Sequence, residues 1–407
     1  MNMQREDHCR AMFRFANGRK LGSRNAGVAG GFTDHEMLEI YCANCAGQDK
    51  LLWDERLQWV RANRPLIEAI GNDPFGTQGE WQDQDHDDPF CFVAACRELV
   101  AARNDPNFVS CLPIFFDGTA NGYQHFAGLV RDEDTAKKVN LIGNKRSDLY
   151  TMVASALDVI LRDATGEHAD LWREKYTALK PSERRKFVKP PTMTFGYGVE
   201  KRGMNLQAAA AYADLFPGEE MPDGFFAFIS AQIEKAIRKE LPGAYDCREY
   251  LRNLAAHTLD KGRFVQTIGP TGFPLICSYL ARTETDVYAR NGGRMRVKTG
   301  ETNRVLRDEA IRSTAPNFVH SLDAAHLIRV ALRCAEAGIA LTVNHDCFGC
   351  LAGDAADLNR IIRREFFLLH RFGWLARLHA QNAPDFAPPP RGNWELEDED
   401  PYNNYSW

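Results

Sequence analysis

Nowhere in the 407-residue chain do about 18 apolar residues run consecutively, so no segment is built to cross a bilayer as a helix. The amino terminus, Met1-Asn2-Met3-Gln4-Arg5-Glu6-Asp7-His8, lacks the apolar core of a secretory signal, and a cytoplasmic setting without membrane contact is expected. Repeats and low-complexity linkers are missing too, so any subdomains are interleaved in sequence, not strung like beads. Eleven cysteines, an odd number scattered over the chain, do not make the disulfide framework of a small secreted protein. Positive charge is also short. The net charge of -5 runs against the surplus of Lys and Arg that neutralising phosphates requires.

Distribution outweighs the total. Acid gathers at Asp83, Asp85, Asp87 and Asp88 and at Glu395, Glu397, Asp398, Glu399 and Asp400, whereas base gathers at 184–189 and at Arg290, Arg294, Arg296 and Lys298. A basic channel on an acidic exterior fits that pattern. The length allows two or more subdomains with a sizeable core, and 44% hydrophobic with 26% charged residues is ordinary for a globular chain.

Leu149, Met152, Val153, Ala156, Leu157, Ile160 and Leu161 recur at helical spacing, as do Leu327, Val330, Ala331 and Cys334. Gly338 then stops the second helix, Ala340-Leu341-Thr342-Val343 reads as a strand, and Leu358, Ile361, Ile362 and Phe366 mark a third helix. The stretch from Gly71-Asn72-Asp73-Pro74 to Asp88-Pro89 reads as a polar loop. Asp286 to Arg290, Asn291-Gly292-Gly293 and Arg294 to Lys298 predict strand, tight turn, strand. The cations at its tip suit a nucleic-acid groove, and a solvated edge hairpin would have the same composition.

Asp117, in Phe116-Asp117-Gly118-Thr119-Ala120-Asn121-Gly122-Tyr123-Gln124-His125-Phe126, and Asp346, in Val343-Asn344-His345-Asp346-Cys347-Phe348-Gly349, each follow a short apolar stretch and precede a turn. Two carboxylates at neighbouring strand ends, with the carbonyl of Gly118, offer hard oxygen ligands to a pair of Mg²⁺ ions. An aspartate before glycine is otherwise an ordinary turn residue. Arg185 and Lys189 are four apart, hence on one side of a helix, where they could clamp a triphosphate or merely face solvent. Pro190 and Pro191 follow at once, so either the helix kinks there or a new one starts near Pro190. Tyr197 sits beside Gly198 at the end of that run. Two Cys-x-x-Cys pairs, Cys42/Cys45 and Cys347/Cys350, are a possible Cys₄ zinc site or buried small hydrophobes, and the second reading fits better because the latter pair overlaps the Asp346 turn.

These residues carry a family resemblance. Asp117-Gly118-Thr119-x-x-Gly122-x-Gln124-His125-Phe126, ending in Arg131-Asp132, resembles the first palm motif of the single-subunit, bacteriophage-type (T7-like) RNA polymerases. Arg185-x-x-x-Lys189-x-x-x-Met193-Thr194-x-x-Tyr197-Gly198 resembles their fingers-helix motif. Ala315-Pro316-Asn317-Phe318-Val319-His320-Ser321-x-Asp323 and His345-Asp346-x-Phe348-Gly349 resemble their last two signatures, in the same order. Weaker likeness extends to Ala43-Asn44-Cys45-Ala46-Gly47-x-Asp49-Lys50 and to Gly392-Asn393.

The resemblance implies an α+β right-hand fold: palm from 1–145 and 321–407, mostly helical fingers from 146–320, and the usual N-terminal domain and thumb lacking. It implies that Asp117 and Asp346 hold Mg²⁺ and that Arg185, Lys189 and Lys50 meet the triphosphate. Tyr197, assisted by His320, would favour ribose, and the 284–303 hairpin would read the promoter. The expected activity is DNA-templated RNA synthesis in a phage setting, with DNA template, nascent RNA and ribonucleoside triphosphates as partners and a separate chain as a source of the missing N-terminal functions. Two alternatives stand beside it. A DNA polymerase would carry a bulky residue and an acid where Gly118-Thr119 stand, and a truncated remnant would bind nucleic acid without turnover.

Overall fold

Pro113-Ile114-Phe115-Phe116 has no polar face to turn outward, and it becomes a strand largely buried against the rest of its sheet. The computed structural model describes residues 6–22, 31–82, 86, 88–143, 146–290 and 292–396. In it this strand, β1 (Pro113–Phe116), is followed by helices α1 (Asn121–Val130), α2 (Leu149–Asp163), α3 (Pro181–Gly196) and α4 (Pro242–Asp260). Strands β2 (Leu280–Tyr288) and β3 (Arg294–Val305), helix α5 (Arg307–Glu336), strands β4 (Thr342–Asn344) and β5 (Cys347–Leu351) and helix α6 (Ala355–His370) complete the elements that bear on function. Helices predominate over small antiparallel sheets, an α+β fold.

The described chain divides into two interleaved units. One contains residues up to Thr119 together with His326–Leu368, and the other Ala120–Ala325 together with Leu369–Leu396. In the first, a three-stranded antiparallel sheet has the order β1-β5-β4. Its register sets Phe115 opposite Gly349 and Phe116 opposite Phe348. Gly349 has to be glycine, because an added Cβ would run into the Phe115 ring. Tyr41 packs 6.3 Å from Phe115, and Trp53 lies 6.3 Å from Phe116. Phe348 and Phe366 enclose His326, whose Nε2 bonds to the Ile362 carbonyl at 2.9 Å. Each such buried phenylalanine contributes roughly 2–3 kcal/mol of transfer free energy.

In the second unit the core is aromatic. Trp172 is fully buried, with Phe187 of α3 at 4.6 Å and Tyr176, Tyr212 and Phe225 around it. Helix α3 runs through Pro190 and Pro191 as one element, so a helix restarting at Pro190 is not what forms. The prolines cannot donate to the carbonyls of Lys186 and Phe187. Packing on both sides of the gap compensates: Phe187 lies under Trp172, Tyr123 Oη donates to the Thr192 carbonyl at 2.8 Å, and Phe195 stacks on Tyr245 at 5.8 Å.

Several expected boundaries move. The helix read from Leu327 to Cys334 is the end of a 30-residue helix that begins at Arg307 and passes through Pro316. The strand read as 340–343 is Thr342–Asn344, because Ile339 N first bonds back to the Cys334 carbonyl to close the helix at Gly338 (φ 67°). The hairpin is longer than its sequence cue, pairing from Leu280/Val305 to Tyr288/Arg294. Within the polar 71–89 loop a short helix, Gln78–Trp81, forms where Trp81 buries its ring and donates to the Pro74 carbonyl at 2.8 Å. The acidic residues Asp83, Asp85, Asp87 and 397–400, the turn residue Asn291 and the start of the chain lie outside the described residues.

Candidate active site

Register brings the two aspartates to one sheet end. β1 stops at Phe116, opposite Phe348, so Asp117 projects past the strand next to Cys347, the first residue of β5. Asp346 immediately precedes Cys347 in the two-residue turn that joins β4 to β5, closed by the Asn344/Cys347 pair. The thiol reports both neighbours. Burial pushes the Cys347 thiol well up, and the charges of Asp117 and Asp346 push it further. Non-glycine residues in the left-handed region lie close in sequence, Ala120 at φ 54° three residues after Asp117 and His345 at φ 56° immediately before Asp346. Such backbone costs on the order of 1–2 kcal/mol per residue, and strain of this kind concentrates at functional sites.

Among the described residues no group of three or more His, Cys, Asp or Glu side chains is placed to hold a metal ion. Two carboxylates and a backbone carbonyl nevertheless suit Mg²⁺, which keeps several waters and is commonly held by one or two carboxylates plus substrate phosphates. All eleven cysteines are free, Cys42, Cys45 and Cys350 are buried and Cys347 partly so, and because no three metal-ligating side chains come together among the described residues the two Cys-x-x-Cys pairs form no Cys₄ site. Lys50, also of the first unit, is exposed in the turn before Trp53 and pairs with Asp49 at 3.1 Å.

The second unit assembles the remaining predicted residues. Arg185, Lys189 and Met193 follow one another at four-residue spacing on the outward side of α3, with Tyr197 as its C-cap, while Phe187, Val188, Pro191 and Thr192 face the core. Arg185 and Lys189 converge on the Tyr150 ring, at 5.3 and 5.8 Å from its centroid. Arg185 Nε donates to Asp148 Oδ2 at 2.6 Å, and the same carboxylate caps α2 by accepting from the amides of Tyr150 and Thr151. Burial works against ionisation of Asp148, but Arg185 and the Thr151 bonds outweigh it and hold the carboxyl below its ordinary range.

Tyr197 and His320 are neighbours, with ring centroids 5.0 Å apart. Three glycines make the space around them. A Cβ on Gly122 would stand 3.2 Å from Tyr197 Cζ, one on Gly196 would stand 3.2 Å from the Tyr123 ring, and Gly198, at φ 83°, leaves room for Pro316, 2.9 Å from where its Cβ would be. The first palm-like motif, the end of α3 and the middle of α5 therefore interlock through glycine–ring contacts. Arg248 of α4 supports the end of α3, lying 4.2 Å over Phe195 and donating to the Val199 carbonyl at 3.1 Å.

The motifs thus occupy distinct, ordered positions, and a family model described as DNA-dependent RNA polymerase matches residues 30–388. The chain belongs to the single-subunit, bacteriophage-type family of DNA-dependent RNA polymerases. It is 29% identical over 420 residues to DNA-directed RNA polymerase 1, mitochondrial, of Arabidopsis thaliana, an alignment covering 97% of this chain and 41% of that one. The DNA-directed RNA polymerase of Pseudomonas phage phiKMV is 29% identical over 413 residues, covering 97% of this chain and 49% of the phage protein. The mitochondrial enzyme of Schizosaccharomyces pombe is 28% identical over 390 residues, covering 91% and 32%. This family member therefore spans between about a third and a half of the length of these curated relatives.

Sequence reasoning in this polymerase-family chain missed four contributors. Asp148 is legible as a helix cap, since it precedes the amphipathic run from Leu149, but not as the partner of Arg185. Asn121 and Asp323 lie inside recognised motifs, yet their hydrogen bond joins positions some two hundred residues apart. His370 carries no local signal, and only the fold sets it against His125. Among the described residues no helix is long and apolar enough to cross a membrane.

Proposed function

We propose that this chain carries out the nucleotidyl transfer of DNA-templated RNA synthesis, using ribonucleoside triphosphates. The observation that carries the reading is the β1-β5-β4 register, which delivers Asp117 and Asp346 to one sheet end in a chain of the RNA polymerase family. Asp117, Asp346 and the Gly118 carbonyl would hold Mg²⁺. When bound, the metal supplies activation of the attacking 3′-hydroxyl and stabilisation of the departing pyrophosphate.

The protein's own groups do the rest. Arg185 and Lys189 attract the triphosphate, and Lys50 joins them. Because Arg185 is oriented by Asp148 and flanked by Tyr150, its guanidinium is held in place before substrate arrives, which lowers the ordering cost of binding. Lys189, more exposed, supplies a compact positive charge to the leaving phosphates, where stabilisation counts most as charge develops. Tyr197, backed by His320 and seated on Gly122, offers its hydroxyl beside the sugar. In this reading residues 1–145 and 321–407, with the three-stranded sheet and α1, are the palm, residues 146–320, with α2–α4, are the fingers, and the β2–β3 hairpin meets the template duplex.

The test is extension of a primed RNA on a DNA template by the purified chain with Mg²⁺ and either rNTPs or dNTPs. Extension with rNTPs is expected. Preference for dNTPs would make it a DNA polymerase, and scaffold binding without extension by either would make it a nucleic-acid-binding remnant.

A further inference from the structure

We infer that Asn121 and Asp323 are positioning residues for sugar choice: their hydrogen bond sets the spacing of the two helices that hold Tyr197. The inference rests on the sugar-selecting reading of Tyr197.

The Tyr197 ring is held from two directions. Gly122 of α1 lies under it, and the ring of His320 of α5 lies 5.0 Å away. How far α1 stands from α5 therefore decides where the phenol oxygen sits. Asn121 Nδ2 donates to Asp323 Oδ1 at 2.8 Å, joining the residue next to Gly122 to the residue one helical turn beyond His320. The tie thus lies close to both contacts of the ring.

The polar set continues behind this bond. His125, one turn along α1, points Nε2 at the same Asp323 oxygen from 3.8 Å, and its Nδ1 shares a 3.0 Å hydrogen bond with His370 Nε2. Gly128 makes room for that pairing, since a Cβ there would stand 2.7 Å from the His370 ring. Asn121 is 2% exposed, His125 0% and His370 2%, among the buried Tyr123, Phe126, Phe318 and Leu322. Apolar side chains would pack such an interface without the desolvation cost of polar ones. What the polar set adds is direction: it admits one register of α1 against α5, whereas an apolar seam would tolerate sliding. A misplaced hydroxyl weakens a hydrogen bond steeply, so the loss should fall on discrimination between sugars more than on turnover.

The experiment uses the full chain with 3-fluorotyrosine at position 197, and compares Asn121→Ala, Asp323→Ala, Asp323→Asn and the Asn121→Ala/Asp323→Ala pair. The ¹⁹F resonance reads the ring's surroundings whether or not the protein turns over. It should shift in both alanine variants and stay close to wild type in Asp323→Asn, which keeps an acceptor oxygen. In parallel, the ratio of rNTP to dNTP kcat/KM on one scaffold should fall about three- to tenfold in each alanine variant, the worth of one ordinary hydrogen bond. The double variant should fall no further than the worse single one. Tyr197→Phe should abolish the effect of Asn121→Ala.

An unchanged resonance in Asn121→Ala overturns the brace, even if the chain proves unable to extend RNA. A shifted resonance with an unchanged ratio, or additive losses in the double variant, overturns its role in sugar choice. If Tyr197→Phe leaves the ratio untouched, the sugar-selecting reading itself fails, and a ratio that then still responds to Asn121→Ala would show that Asn121 acts elsewhere. Should Asp323→Ala not fold, Asn121→Ala and Asp323→Asn decide between the same outcomes.

Discussion

Gly122 lies directly against the Tyr197 ring, with space for a hydrogen but not comfortably for a methyl: a Cβ at 122 would stand 3.2 Å from Cζ and 3.3 Å from Cε1. Gly122→Ala should therefore move the phenol by a few tenths of an ångström while the helix itself gains about 0.5–1 kcal/mol of propensity. The expected result is a folded protein of near-normal melting temperature with a reduced preference for rNTPs over dNTPs. A preference identical to wild type would separate Gly122 from sugar choice.

Asp117→Asn and Asp346→Asn should each abolish nucleotide addition while leaving circular dichroism and the unfolding midpoint close to wild type. Each would remove a proposed metal ligand from a sheet end that faces outward, and losing a metal would cost several kcal/mol of transition-state stabilisation. Near-normal extension by either variant on a preassembled scaffold would refute the assignment.

For Lys189→Ala, the rate of addition should fall far more than template affinity, because a contact to the departing pyrophosphate strengthens in the transition state. Single-turnover kinetics and scaffold titration separate the two. A loss of scaffold affinity without a rate defect would place Lys189 on a general basic surface.

Tyr197→Phe should remain active and accept dNTPs much better, since the hydroxyl, not the ring, would discriminate. The ring's contacts with His320 and Gly122 survive the change, so stability should hardly move. An unaltered rNTP/dNTP ratio counts against it.

Asp148→Asn tests the seat of Arg185. The folded-state pKa of Asp148 is depressed, so its charge contributes stability above the unfolded value of about 3.9, and that contribution disappears as pH falls through the folded value. With the side chain 36% exposed, the ion pair should be worth at most about 1 kcal/mol. The variant should be less stable than wild type at pH 7, the gap closing below about pH 4. A gap that stays constant down to pH 2 would mean that the carboxylate charge contributes nothing.

The local features were legible because their causes are local. Period-3.6 apolar spacing gave α2 and α6, apolar runs before turns gave β1 and the β4 edge of Asp346, and Asn-Gly-Gly gave the hairpin. What escaped depends on distant partners. Pro190 and Pro191 read as a kink or a restart, yet burial of Phe187 and Phe195 on the same helix holds the backbone helical across the missing donors. The Asn121–Asp323 and Arg185–Asp148 bonds have no periodicity to betray them. Pairing of Asp117 with Asp346 could be suspected from two similar strand–turn contexts, but only the register of β1 on β5 specifies it.

That register has a consequence for synthesis. β1 leaves the ribosome roughly 230 residues before its partner strand, a delay on the order of tens of seconds at ordinary translation rates. For that interval Ile114, Phe115 and Phe116 have no sheet to join, and the long-range pairing that closes it is of the kind that folds slowly. The nascent chain is thus most exposed to misassociation at the very segment that ends in Asp117, and the yield of active protein should depend on chaperone supply and expression temperature more than the stability of the finished fold would suggest.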